Sequence, residues 1–404
     1  MVRSSHPRRQ GPVPSLVLAH DYLVQMGGAE RVVAAMLRHH GRVPVYTSVV
    51  RRDGLLREFQ NADLRTSWMQ RIPNVTARFK HYFALYPQAF RSFGIVPCEA
   101  AWVSASTFAK CIRFSPGTAT VLYCHAPTRF LWDTNVYLDG ERLGRFRQSL
   151  IRRTLPPLRQ FDRRAAARFD VIAANSESVR QRIRSHYGRD AVVIHPPVEL
   201  SRFVVSQRPP EDYHLVLSRL VGYKALDRAV EAFTKLGKPL VVIGEGPDRE
   251  RLERMAGPTV RFLGQLPDAE VTRYLGGCRS LVFPGEEDFG IVPVEAQACG
   301  KPVVAFGRGG ALETVLEGET GCFFDDPNAD SLANAVIRVE AGGWNPDRIR
   351  RNAERFSEEA FHSRTDRLLA EVVAEKTGLR TACPGAVSDL SGMDLGSVPP
   401  SGAA

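Results

Sequence analysis

Two carboxylates, Glu287 and Glu295, stand with seven residues between them inside SLVFPGEEDFGIVPVEAQACGKPVVAFGRGG, residues 280–310. The apolar run Leu281, Val282, Phe283 is stopped by Pro284 and Gly285, and a second run spans Pro302 to Phe306. Short apolar runs between such breakers predict strands. Between them, Pro293 suits the first turn of a helix and Gly300 its stop. Glu286 to Gly290 is then a loop feeding a helix N-terminus, with free N–H groups at Phe289, Gly290, Ile291 and Val292. Free amides and a partial positive charge seat a phosphate. A phosphate there leaves Glu287 and Glu295 on either side, placed to accept hydrogen bonds from hydroxyls. A nucleotide-sugar, a diphosphate with a polyol at each end, meets that demand. The plainer alternative is a carboxylate complementing the helix dipole, worth about 0.3–1 kcal/mol, beside a solvated loop acid.

A second group of residues suits the same ligand. Arg219 and Lys224, with four residues between them, follow the predicted strand His214 to Leu217. Two cations at a strand end can hold a diphosphate and neutralise charge as it leaves; a capping Lys and a surface Arg is the alternative. Gly244 and Gly246 follow the next strand, Pro239 to Gly244. Nearer the N-terminus, the strand Leu16 to Ala19 runs into His20-Asp21, then the turn Gly27-Gly28, then a helix from Ala29 to Arg38. This order opens a doubly wound α/β domain, whose ligands bind beyond the carboxyl ends of the strands. Glycines there let backbone approach a ligand, or simply form a tight turn. His125 lies just past the strand Ala119 to Tyr123. Arg129, Trp132 and Asp133 follow, on what would be the acceptor side with His20 and Asp21. Asp133 reads as a base or as the ion-pair partner of Arg129.

The stretch EDFGIVPVEAQACGKPVVAFGRGGALETV, with the R-x4-K pair and HDYLVQMGGAERV, resembles the retaining GT-B glycosyltransferases of family 4, "group 1". It is most similar to bacterial mannosyltransferases of O-antigen and exopolysaccharide synthesis, in patches from Leu16 to Glu371. The resemblance implies two Rossmann-like domains facing across a cleft, and metal-independent chemistry without a cofactor; no D-x-D pair occurs. It implies that His125 approaches the transferred sugar, and that Gly27-Gly28 approaches the donor phosphate or the acceptor. Arg219 and Lys224 would stabilise the departing diphosphate, Glu287 would orient sugar hydroxyls, and Glu295 would accept from the ribose. Backbone near Leu266 would meet the base. The implied donor is GDP-mannose, with a UDP-sugar as the alternative, and the implied acceptor a glycan, plausibly polyprenyl-linked. A nucleotide-sugar epimerase is the rival on the same fold. A basic protein without enzymatic activity is the rival of another class.

Length and composition set the frame. The 404 residues suffice for two buried cores, and 44% apolar with 24% charged content is ordinary for a globular chain. The expected organisation is a disordered basic leader (1–14), an acceptor domain (15–203), a linker (204–212) and a donor domain (213–345). Terminal helices (346–377) would cross back to the first domain, before a disordered tail (378–404). Seven scattered cysteines without C-x-x-C spacing predict reduced thiols in a cytoplasmic protein. The net charge is +10, with nine arginines and one acid, Asp162, between Arg142 and Arg168. No nucleic-acid-binding motif accompanies them, so no nucleic-acid partner is expected. That segment, with the aromatic and basic run Thr76 to Phe93, predicts contact with the inner membrane face. A solvated charged helix and a core helix are the respective alternatives.

Overall fold

The computed structural model describes residues 15–133 and 145–378; the expected leader and nearly all of the expected tail lie outside them. Two parallel sheets organise the chain. The first contains β1 (Leu16–His20), β2 (Val45–Thr47), β3 (Leu64–Thr66), β4 (Ala100–Ala105), β5 (Ala119–Cys124), β6 (Val171–Ala174) and β7 (Val192–Val193), in the order β3-β2-β1-β4-β5-β6-β7. The second contains β8 (His214–Leu217), β9 (Leu240–Ile243), β10 (Val260–Gly264), β11 (Leu281–Phe283), β12 (Val303–Phe306) and β13 (Gly321–Phe324), in the order β10-β9-β8-β11-β12-β13. Each order reverses once, beside β1 and beside β8, which is the doubly wound Rossmann pattern. The central strands are buried throughout. That is why they read as continuous apolar runs and not as alternating ones.

Helices cover both faces of each sheet. Those that matter for the site are α1 (Gly28–His40), α2 (Arg145–Ala166), α3 (Glu177–Tyr187), α4 (Leu226–Leu236), α5 (Ile291–Ala298) and the terminal α6 (Glu358–Thr377). Helix α6 returns to the first sheet. Its Phe361, Leu368, Leu369 and Val372 join the core formed by Leu18, Val33, Trp102 and Tyr123. Phe361 meets Trp102 and Tyr123 edge-on, and burying such a ring contributes about 2–3 kcal/mol.

The run Thr76 to Phe93 is not one interfacial helix. It breaks into Val75–Arg78, a 3-10 segment Phe79–Leu85 and Tyr86–Arg91, with non-helical backbone at Tyr82. Pro87 enters at the start of the last piece. Tyr86 and Phe90 lie in the core, so the rings mostly build the domain, while Phe83 and Leu85 stay exposed.

Candidate active site

The switch point of the second sheet brings the two charged motifs together. Lys224 ends a 3-10 turn, and the next residue, Ala225, has φ +52°, a left-handed conformation that costs roughly 1–2 kcal/mol without glycine. The loop after β11 runs against this turn. A Cβ on Gly285 would stand 2.7 Å from the Lys224 carbonyl oxygen, so only glycine lets the two backbones touch. As a result the Lys224 ammonium pairs with the Glu287 carboxylate. The acid loop is supported from below by Gly309-Gly310, whose second amide donates to the Glu287 carbonyl at 2.9 Å. Arg219 stands nearby, donating to the Tyr223 hydroxyl at 2.6 Å.

Helix α5 starts at Ile291 behind Gly290, whose φ is +86°. The Phe289 side chain is buried, stacked on His195 and packed on Phe356, so only its backbone is available to a ligand. Glu295 points into a cavity of about 270 Å³ between the domains, which Arg31, Arg202, Asp268 and Ile291 also line. Burial raises the Glu295 pKa, against the pull of Arg31 and Arg202. Asp268 bridges the cavity, at 3.3 Å from Arg31 and 2.8 Å from Arg202. Leu266 is half-buried against the second core. Gly244 and Gly246 do approach backbone closely, but that backbone is their own chain's. A Cβ would lie 1.9 Å from Ser218 O and 2.2 Å from Leu220 O, respectively. This close packing holds the loops after β8 and β9 against each other.

Across the cleft, Gly28 meets Ile291. A Cβ there would sit 2.8 Å from Ile291 Cδ1. Gly27 caps α1 through its amide, which donates to Glu30 Oε2 at 2.9 Å. His125 is buried and belongs to a chain of polar groups. Ser104 Oγ lies 2.8 Å from His125 Nε2 and 3.0 Å from His20 Nδ1, and His20 Nε2 lies 3.7 Å from Glu30 Oε1. Burial opposes charge on His20, but Glu30, Asp21 and the Ser104 carbonyl outweigh it and raise the pKa. Burial, then the charge on His20, push His125 down to about 3. Ser104 Oγ thus links the two imidazoles, one with its pKa raised and the other with its pKa lowered.

Asp21 is not available to an acceptor. Its carboxylate accepts from the amides of Ser106, Thr107 and Ala109 at 2.7–2.8 Å, which fixes the loop after β4. His20 is likewise buried, its ring held by Ser104. Arg129 and Asp133 do not pair with each other. Arg129 pairs with Asp288 of the acid loop, Arg182 pairs with the same carboxylate, and Asp133 lies 3.6 Å from Arg182. Asp288 thus ties the acid loop to the first domain.

Three further groups hold the elements around the cleft. Glu313 caps α3 across the cleft, accepting from the amides of Glu177 at 2.9 Å and Ser178 at 3.3 Å, and it lies 3.0 Å from His195 Nε2. Arg182 carries no local signal. Asp162, the acid within the arginine run, is fully buried. It pairs with Lys110 at 2.7 Å and accepts from Thr128, Trp132 and Tyr187. This network holds the 128–132 segment after His125, and removing one partner of such a buried pair costs about 3–5 kcal/mol.

Two Rossmann sheets facing across a cleft, with an acid loop, a cation pair and a helix N-terminus at the switch point, define the GT-B glycosyltransferase fold. Residues 26–202 match the model of "Glycosyltransferase Family 4", and residues 198–356 that of "Glycosyl transferases group 1". The chain belongs to the group 1/family 4 glycosyltransferases of GT-B type. It is 34% identical over 213 residues to a GDP-mannose-dependent alpha-(1-6)-phosphatidylinositol monomannoside mannosyltransferase of Mycolicibacterium smegmatis, covering 45% of this chain and 56% of that one. It is 30% identical over 248 residues to a GDP-mannose-dependent alpha-(1-6)-phosphatidylinositol dimannoside mannosyltransferase of Mycobacterium tuberculosis, covering 56% and 64%. The match therefore spans between about half and two thirds of these relatives. In fold, the chain is similar to sucrose-phosphate synthase of Thermosynechococcus elongatus, with a TM-score of 0.68, 17% identity, and 89% and 100% of the two chains covered. It is also similar to Anabaena HepE in complex with UDP-glucose, with a TM-score of 0.66, 18% identity, and 88% and 99% covered.

Proposed function

We propose that the protein is a retaining hexosyltransferase that moves mannose from GDP-mannose onto a glycan acceptor carried on a polyprenyl lipid. The observation that carries the reading is the meeting of Lys224 with Glu287 at the switch point, where the acid loop feeds α5. The names of the mannosyltransferase relatives support the choice of donor.

In this reading the donor diphosphate displaces the carboxylate from Lys224 and takes the ammonium, with Arg219 and the first amides of α5 around it. Preorganised donors of this kind are commonly worth ~3–4 kcal/mol each. Glu287, released, accepts from the sugar hydroxyls. Glu295, in its interdomain cavity, accepts from the ribose, and the backbone by Leu266 meets the base. Neutral His125 offers its free ring edge and backbone to the sugar, and the Ser104–His20–Glu30 chain fixes its tautomer. The acceptor hydroxyl attacks on the face the leaving group vacates, and a donor phosphate oxygen takes its proton. The bond from the anomeric carbon to the phosphate oxygen breaks as the new glycosidic bond forms. No step needs a metal, so transfer is expected to survive excess chelator.

Contact with an anionic membrane surface is part of the proposal. No helix among the described residues is long and apolar enough to cross a membrane. Phe83, Leu85, Arg78, Lys80, Arg153 and Arg164 are all exposed and available to such a surface. A thermal-shift panel with GDP, UDP and their sugars tests the donor, followed by transfer from labelled GDP-mannose to membrane extract. A shift by UDP-sugars alone rejects mannose. Donor conversion without any acceptor points to epimerisation.

A further inference from the structure

Helix α1 ends in His39-His40, and α6 passes beside that end. His39 Nε2 lies 2.7 Å from Asp366 Oδ2, and His40 Nε2 lies 3.7 Å from Asp366 Oδ1. One ligand atom from each of the three residues falls within 4.8 Å of the others. One turn earlier on α6, His362 stacks on His39 with centroids 4.2 Å apart and planes at 7°. Two nitrogens of this cluster, His40 Nε2 and His362 Nδ1, are buried without a hydrogen-bond partner. An orphaned buried nitrogen costs about 1–3 kcal/mol, and two within one cluster call for something that takes a lone pair. The nearby cation does not serve, because Arg38 is held by Glu58 and Glu358.

We propose that His39, His40 and Asp366 form a binding site for a divalent transition metal of the zinc class. Ligands about 2.0–2.2 Å from a tetrahedral zinc stand roughly 3.3–3.5 Å apart. The observed separations, from 2.7 Å up to the 4.8 Å limit, bracket that value, so small side-chain rotations close the set. Two imidazoles with one carboxylate suit zinc, nickel, cobalt or copper, and not calcium or magnesium. Water completes the coordination. The ligands come from positions 327 residues apart in the chain, so the ion staples the terminal helix to the first domain. It lies at the far end of α1 from Gly28, which touches Ile291: the 13-residue helix is roughly 20 Å long at 1.5 Å per residue, although the neighbouring Arg38 lines the Glu295 cavity. The ion is therefore structural, and its loss leaves transfer running in a less stable protein.

The test uses untagged full-length protein stripped with chelator and titrated with Co²⁺ and then Zn²⁺. One equivalent of Co²⁺ is expected to bind with visible d–d absorption that Zn²⁺ abolishes, and Zn²⁺ is expected to raise Tm reversibly. The double variant His39→Gln/Asp366→Asn is expected to lose both responses while keeping its thermal shift with nucleotide. Both side chains are more than a third exposed, so the fold tolerates the change. Failure of the wild type to take up either ion, or equal uptake by the double variant, overturns the site. Neither result bears on the transferase reading, which the nucleotide shift reports separately.

Discussion

The Lys224 ammonium rests on the Glu287 carboxylate, with side chains only 14% and 22% exposed. These two residues come from different loops and meet because Gly285 lets the loops touch. The pair keeps both charges compensated until a ligand replaces one partner.

Lys224→Ala and Glu287→Ala are each expected to lower kcat by about 10²-fold or more, in line with the loss of one preorganised electrostatic group. Tm should fall somewhat, since each change leaves the partner's charge unpaired in a site only 14–22% exposed. Purified variants assayed with donor at saturation check this. Wild-type turnover in either would remove the residue from the mechanism.

Glu295→Ala is expected to act on the nucleotide alone. The donor KM should rise roughly tenfold, the worth of one hydrogen bond to a charged group, with kcat nearly unchanged. A fall in kcat at unchanged KM would place the residue at the reacting sugar instead.

Gly28 and Ile291 touch across the cleft, so bulk at either opens it. Gly28→Val should raise the donor KM several-fold through incomplete closure, and adding Ile291→Ala should restore part of the loss. Independent, additive effects of the two changes would show that the contact does not limit closure.

His125 sets a pH dependence of stability. Its ordinary pKa is 6.5 and the folded value is about 3. Between those values the unfolded chain binds a proton that the folded protein refuses, so stability present above pH 6.5 is lost as pH falls toward 3. The loss from pH 6.5 to 5 should be about 2 kcal/mol. Urea unfolding of wild type and His125→Gln at both pH values tests it. The variant should have the shallower slope, and equal slopes would contradict the assignment.

Glu313→Ala should loosen the domains. It removes the acceptor for two amides at the start of α3, a capping interaction worth about 1–2 kcal/mol. The expected signs are a lower Tm and a larger radius of gyration by small-angle scattering. Glu313→Gln, which keeps an acceptor oxygen, should be milder. No change in either quantity would mean that the domains are held elsewhere.

The acid loop, α5, the Arg219–Lys224 spacing and both Rossmann openings were legible because each is a local pattern. Apolar runs mark buried parallel strands, and proline and glycine mark their ends. Among the described residues, Cys98, Cys111, Cys124, Cys278, Cys299 and Cys322 are buried free thiols, and Cys383 lies outside them. What the chain order alone could not state is which polar group faces which. Asp21 looks like an acceptor ligand until three amides 85–88 residues away claim its carboxylate. Arg129 and Asp133 look like a pair until Asp288 and Arg182 arrive from other elements.

Local sequence therefore decided the elements and the residues with charge to offer. Their free energies depend on neighbours within a turn or a strand. Tertiary structure decided which charges are used up in holding the fold and which remain for a ligand. A hydrogen bond acts over about 3 Å, and only folding brings distant residues that close.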